Sequence, residues 1–145
     1  MSWNALYSGS CTCTLHAVQV IEFHRGIYLL CKGGCSEALG MQKKTITDAQ
    51  ITASSSWNSA HGPSNARLHF RSGHGKTGAW SSRTNDKNQW LQVDLGKKLE
   101  VTAIQTQGRY DTHQWVMSYT VSYSNDGKTF YPYQNHKVYE AKWNP

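Results

Sequence analysis

Over Ser118–Ser124 the chain alternates with a period of two and then halts at a turn. Tyr119, Val121 and Tyr123 fall on one face, with Ser118, Thr120, Ser122 and Ser124 on the other. Successive side chains of a strand point to opposite faces, so this pattern predicts a β-strand with one apolar face. Asn125, Asp126 and Gly127 follow it, and residues that tolerate positive φ in that order signal a two-residue hairpin. Leu91, Val93 and Leu95 alternate in the same way within residues 90–95, and residues 101–106 are rich in β-branched side chains. No helix of convincing length is expected beyond residue 40. Short apolar segments separated by turn-rich ones predict an all-β sandwich.

At 145 residues the chain is long enough for one domain with a sizeable core. It carries 15 Lys and Arg against 9 Asp and Glu, a net charge of +6. That balance permits an anionic lipid, an acidic glycan or nucleic acid as partner. The basic residues form no run, so the nucleic-acid signature is missing and no nucleic acid is expected. No run of about 18 uninterrupted apolar residues suggests a transmembrane helix. The best secretory-signal candidate, residues 15–31, is broken by Glu22, His24 and Arg25, so no clear signal peptide is present. No Asn-X-Ser/Thr sequon occurs.

The four cysteines, Cys11, Cys13, Cys31 and Cys35, fit zinc spacings poorly, and no metal site is expected. Disulfides in an oxidising compartment suit them better. Cys11 and Cys13 are too close to pair with one another, so each would need a different partner. Catalytic signatures are also missing: no Gly-X-Ser-X-Gly, His-Glu-X-X-His or Walker sequence occurs, and no nucleophile has an evident base. No catalytic residue and no cofactor is assigned, and the chain is read as a non-enzyme.

Five phrases stand in order along the chain: Cys35-Ser-Glu-Ala-Leu-Gly-Met41, Ile51-Thr-Ala-Ser-Ser55, Gln89-Trp-Leu-Gln-Val-Asp-Leu-Gly96, Thr102-Ala-Ile-Gln-Thr-Gln-Gly108 and Tyr119-Thr-Val-Ser-Tyr-Ser-Asn-Asp-Gly127. Together they resemble the discoidin domain, also called the coagulation factor five/eight C-type domain, over about residues 35–142. The resemblance implies a jelly-roll β-sandwich or barrel with loop spikes at one end, an extracellular setting and ligand binding without chemistry. It divides the chain into a leader or linker at 1–34 and a discoidin domain at 35–145. The motifs fade near residue 137, where the family continues with closing strands that end in a cysteine bonded to the position of Cys35. The expectation is therefore a domain incomplete at its C-terminus, its closing strands missing and its edges exposed.

By the same resemblance, the long polar segments become three spikes. The first, residues 55–65, offers Trp57, Asn58 and His61. The second, residues 69–79, offers Arg71, His74 and Lys76. The third, residues 108–114, offers Arg109, Tyr110, Asp111 and His113. Trp57 is a large ring in a polar loop, suited to stacking on a sugar, inserting at a lipid interface or anchoring a protein. Arg71, His74 and Lys76 suit phosphate, sulfate or carboxylate. Trp80, Trp90, Trp115, Arg67 and Asp94 are assigned to the framework, with Asp94 either fixing a turn or pairing with Arg67. The leading reading is an adhesion module binding carbohydrate or acidic glycan. The alternatives are an anionic phospholipid surface of the phosphatidylserine type, or an extracellular protein or matrix ligand. A structural Ca2+ is admitted, although no acidic loop demands one.

Overall fold

The computed structural model describes residues 14–22, 27–32 and 36–141. Among the described residues eight strands follow one another: β1 (Thr14–Glu22), β2 (Ile27–Lys32), β3 (Ser36–Ala38), β4 (Ile51–Ala53), β5 (Trp90–Thr106), β6 (Ser118–Ser124), β7 (Tyr131–Pro132) and β8 (Tyr139–Glu140). Helical structure among the described residues is confined to short 3-10 turns at Asp48–Gln50, Ser59–His61, Pro63–Ala66 and Tyr133–Asn135. The all-β class expected from the alternation is the class observed.

The 17-residue β5 pairs with different strands along its two halves. Its first half pairs antiparallel with β4 through Ile51↔Val93 and, on its other side, with β1 through Val18↔Val93. Its second half pairs with β2, Leu29 lying opposite Ile104. Between the halves the β1 pairing jumps from Ala17↔Asp94 to Leu15↔Leu99. Gly96 takes the corner at φ +70°, a conformation that glycine adopts at little cost. The Asp94 carboxylate accepts the Gly96 N–H at 2.8 Å, so Asp94 fixes a turn as expected. Gln50 locks the same corner, donating from Nε2 to the Asp94 carbonyl at 2.8 Å.

The apolar faces legible in the sequence meet in the core. Leu91, Val93 and Leu95 of β5 and Tyr119 and Val121 of β6 are buried with Ile51, Trp80 and Val116. The Trp80 indole N–H donates to the Ser55 carbonyl at 2.9 Å, which satisfies its one polar atom. Trp90 and Trp115, assigned to the framework with it, are only half-buried. Tyr119 stacks on Tyr139 with ring centroids 5.5 Å apart.

Two expectations are corrected. The salt-bridge partner of Arg67 is Asp48: Nε and Nη2 donate to Asp48 Oδ1 at 3.1 and 2.5 Å, while Nη1 donates to the Met41 carbonyl at 2.8 Å. The hairpin after β6 is wider than two residues, since the strands rejoin only at Tyr123↔Tyr131. Asp126 explains the width. Its Oδ1 accepts the backbone N–H groups of Lys128 and Thr129, each at 2.8 Å, and so organises a longer loop in which only Gly127 has positive φ. Ser124 is buried beneath this loop, its Oγ accepting from Gly127 N at 2.9 Å.

The stretch read as leader or linker contributes β1 and β2. β1 lies between β5 and β6, antiparallel to both, so those two edges are paired rather than exposed. The readings made for Cys11, Cys13 and Cys35 lie outside the described residues. Among the described residues, no helix is long and apolar enough to cross a membrane.

Candidate recognition surface

Three loops leave the strands next to one another. Residues 55–65 follow β4, residues 69–79 precede β5, and residues 108–114 link β5 to β6. They are tied together at their bases by backbone and amide hydrogen bonds. Trp57 N donates to the Ser81 carbonyl at 2.8 Å and Thr77 N to the Ala60 carbonyl at 2.9 Å. Asn65, 2% exposed, spans the same gap, donating from Nδ2 to the Ala60 and Thr77 carbonyls at 2.8 and 3.1 Å. The Gln107 side chain accepts the His69 N–H at 3.0 Å, which joins the second loop to the third.

With the bases anchored, the tips diverge in character. The Trp57 side chain lies open to solvent, 62% exposed. Its neighbours fix the loop rather than cover the ring: Asn58 Oδ1 accepts Ala60 N at 2.9 Å and lies 2.7 Å from His61 Nδ1, capping the turn that follows. The second tip is a two-residue hairpin closed by reciprocal Gly73–Lys76 backbone bonds of 2.9 Å. His74 and Gly75 occupy its centre at φ 50° and 74°, the two positive values that a mirror-image turn requires. Arg71, His74 and Lys76 are exposed on it.

The third tip is internally paired. Arg109 Nε donates to Asp111 Oδ1, Nη2 donates to Asp111 Oδ2 at 3.0 Å, and Nη1 donates to Gln114 Oε1 at 3.0 Å. The Arg109 hydrogen bonds hold the Asp111 carboxyl below the usual carboxylate range, against the opposing effect of burial. Tyr110, 54% exposed, receives the Arg71 guanidinium over its ring at 5.1 Å. His113 is exposed on the same loop.

The ten residues singled out from sequence therefore divide. Trp57, Arg71, His74, Lys76 and Tyr110 form open tips, and His113 is exposed on the third loop. Arg109 and Asp111 engage one another, and Asn58 and His61 engage one another. Three features escaped the sequence reading. Arg71 bridges two loops through Tyr110. Gly78 lets the second loop approach the third, and Gln89 anchors the first, its Oε1 accepting the Ser54 and Ser55 hydroxyls at 2.8 and 2.6 Å. A polar Gln within a strand-opening phrase carries no local signal of such a role. A crevice lined by Asn65, Arg67, Phe70 and Gly108 measures about 10 Å³, space for roughly one water. It cannot admit a sugar ring or a phosphate headgroup.

A model of the F5/8 type C domain matches residues 50–145, which include all three loops. The chain belongs to the F5/8 type C domain family. The EGF-like repeat and discoidin I-like domain-containing protein 3 of Homo sapiens is 46% identical over 117 residues, covering 75% of this chain and 24% of that protein. Lactadherin of Rattus norvegicus is 47% identical over 109 residues, covering 70% and 25%. Coagulation factor V of Pseudonaja textilis is 41% identical over 105 residues, covering 69% and 7%. The chain thus spans a quarter or less of these relatives. No solved structure gives a significant match.

Proposed function

We propose that this F5/8 type C domain is an extracellular, non-enzymatic recognition module whose spikes dock on an anionic phospholipid surface. The observation that carries this reading is the bare Trp57 indole at the tip of the first spike, in a domain whose second spike presents Arg71, His74 and Lys76. An amphipathic indole favours the boundary between headgroup and acyl chain. Burying its exposed face contributes about 2 kcal/mol, and each cation near an anionic surface adds about 1 kcal/mol. A total of about 4 kcal/mol corresponds to millimolar affinity, so tight attachment requires several copies or neighbouring domains. The Arg71–Tyr110 pair adds a second aromatic that already carries a cation.

A second reading, carbohydrate or acidic glycan, rests on the same indole, because an open ring face also stacks on a sugar. It draws less support from the third spike, where Arg109 and Asp111 satisfy one another. The two readings separate in one experiment. Binding to phosphatidylserine vesicles that falls steeply with salt supports the lipid. Binding on a glycan array that free sugar competes away supports the glycan. Silence in both leaves an extracellular protein as the partner.

A further inference from the structure

A surface of one charge lies at the end of the domain away from the spikes. β5 starts beside the first spike, where the Trp90 carbonyl accepts the Ser54 N–H, and runs six residues to the corner at Gly96, about 20 Å at the rise of a strand. Its second half then returns towards the third spike. Lys97 and Lys98 stand exposed on that corner. A short loop brings two more lysines to it. Met41 and Ile46 are buried in the core, and residues 42–45 between them are exposed, Lys43 and Lys44 included. The loop closes on Gly40, whose carbonyl accepts the Ile46 N–H at 3.4 Å. Thr47 follows Lys44 by three residues, a span of at most about 11 Å. Its backbone N donates to Gln50 Oε1 at 3.0 Å. The same Gln50 amide donates from Nε2 to the Asp94 carbonyl at 2.8 Å, and that nitrogen would lie 3.3 Å from a Cβ built on Gly96. One side chain thus bolts the Lys43–Lys44 loop to the Lys97–Lys98 corner.

None of the four lysines has a hydrogen bond or ion pair among the described residues. The carboxylates nearest to them in the fold are engaged: Asp48 pairs with Arg67, and Asp94 Oδ1 accepts the Gly96 N–H. Unpaired like charges held on one surface attract an anionic partner. The large apolar side chains exposed among the described residues are Trp57, Tyr110, Met117, Tyr131 and Val138, and all lie outside residues 41–50 and 94–99. A membrane would find no anchor here, whereas a linear polyanion needs none. We propose that Lys43, Lys44, Lys97 and Lys98 form a binding surface for a sulfated polysaccharide, a chain whose repeated sulfates and carboxylates meet both lysine pairs at once. Lysine suits such a ligand, because a point charge on a flexible stem follows an irregular row of anions without the fork geometry of arginine. This surface is separate from the spikes and holds whichever ligand they take. It lets the domain bind an anionic chain at one end while the spikes stay open at the other.

The test titrates the full-length chain with short heparin fragments at several salt concentrations. Three proteins are compared: the parent, a variant carrying Lys43→Gln, Lys44→Gln, Lys97→Gln and Lys98→Gln, and a spike variant carrying Arg71→Gln and Lys76→Gln. Loss of the four lysines should weaken heparin binding by about tenfold or more at low salt and flatten its salt dependence. The spike variant should bind heparin within about twofold of the parent, since its lost charges lie beyond a screening length from the corner. Failure of the parent to bind heparin overturns the proposal. Equal losses in the two variants reduce the effect to net charge and overturn it, and a loss confined to the spike variant moves the polyanion to the spikes. A second measurement needs no substitution. Lysine acetylation of the parent, mapped by mass spectrometry with and without heparin, should show Lys43, Lys44, Lys97 and Lys98 protected while Lys76 and Lys87 stay reactive. Unchanged reactivity at the four lysines, or equal protection of Lys76 and Lys87, overturns the proposal.

Discussion

Gly78 lies directly against Tyr110: a Cβ added to Gly78 would sit 2.9 Å from the Tyr110 Cβ and 3.1 Å from Asp111 Oδ1. The second and third spikes can approach this closely only because that position has no side chain. Gly78→Ala is expected to push the third spike outward and disturb the Arg71–Tyr110 stack. Strain of this kind costs about 1–3 kcal/mol. Thermal unfolding should register that loss, and vesicle binding should fall further than a Tyr110→Ala variant alone would explain.

Arg67 and Asp48 make an asymmetric pair, their side chains being 3% and 62% exposed. Removing the exposed partner leaves water able to reach the gap, so Asp48→Asn should cost under about 1 kcal/mol. Arg67→Ala removes a buried guanidinium and strands the Met41 carbonyl that accepts from it, at a cost of about 1–3 kcal/mol beyond the lost packing. Urea denaturation of the two variants tests the ordering.

The backbone N–H groups of Thr129 and Lys128, followed by the Ser124 hydroxyl, hold the Asp126 carboxyl well below the usual carboxylate range. A depressed folded-state pKa stabilises the protein above the ordinary carboxylate value of 3.8, and that contribution is lost as pH falls through the lower folded value. Asp126→Asn should therefore lower stability at neutral pH. The gap between variant and parent should narrow steadily below about pH 4. Unfolding curves from pH 7 to pH 2 give the comparison, and a constant gap would count against the Asp126 cap.

The fold was legible where apolar residues alternate along a strand, although Ser122 and Ser124 on the opposite face of β6 are buried as well. The alternation at Leu91, Val93 and Leu95 and at Tyr119 and Val121 pointed straight to core positions. β1 was not legible as a central strand, because pairing on both sides is a property of backbone register that leaves no alternating signature. Trp57 stood out as an apolar ring in a polar loop, and it is exposed. Asp48 as the partner of Arg67, and Gln89 as the anchor of the first spike, depend on contacts across 19 and 34–35 residues that local pattern does not encode. The loop at Asp126 is wider than its Asn-Asp-Gly sequence implies because the Asp126 side chain satisfies the backbone donors of Lys128 and Thr129.

Asp111 distinguishes the lipid reading from the glycan reading. Its carboxylate occupies Arg109, so Asp111→Asn weakens that pair and removes one negative charge from a chain of net charge +6. On an anionic membrane the variant should bind more tightly, about 2–5-fold at low salt, with the gain vanishing as salt screens it. A sugar ligand that uses the carboxylate as acceptor would instead bind more weakly.

The most direct measurement is co-sedimentation of the full-length chain and its Trp57→Ala variant with phosphatidylserine-containing vesicles, beside phosphatidylcholine vesicles. Loss of the indole should weaken binding to the anionic vesicles by about tenfold or more, corresponding to about 1.4 kcal/mol or more. The melting temperature should stay unchanged, because Trp57 is 62% exposed and supports no core. Equal binding by parent and variant, or equal binding of the parent to both vesicle types, would contradict the account.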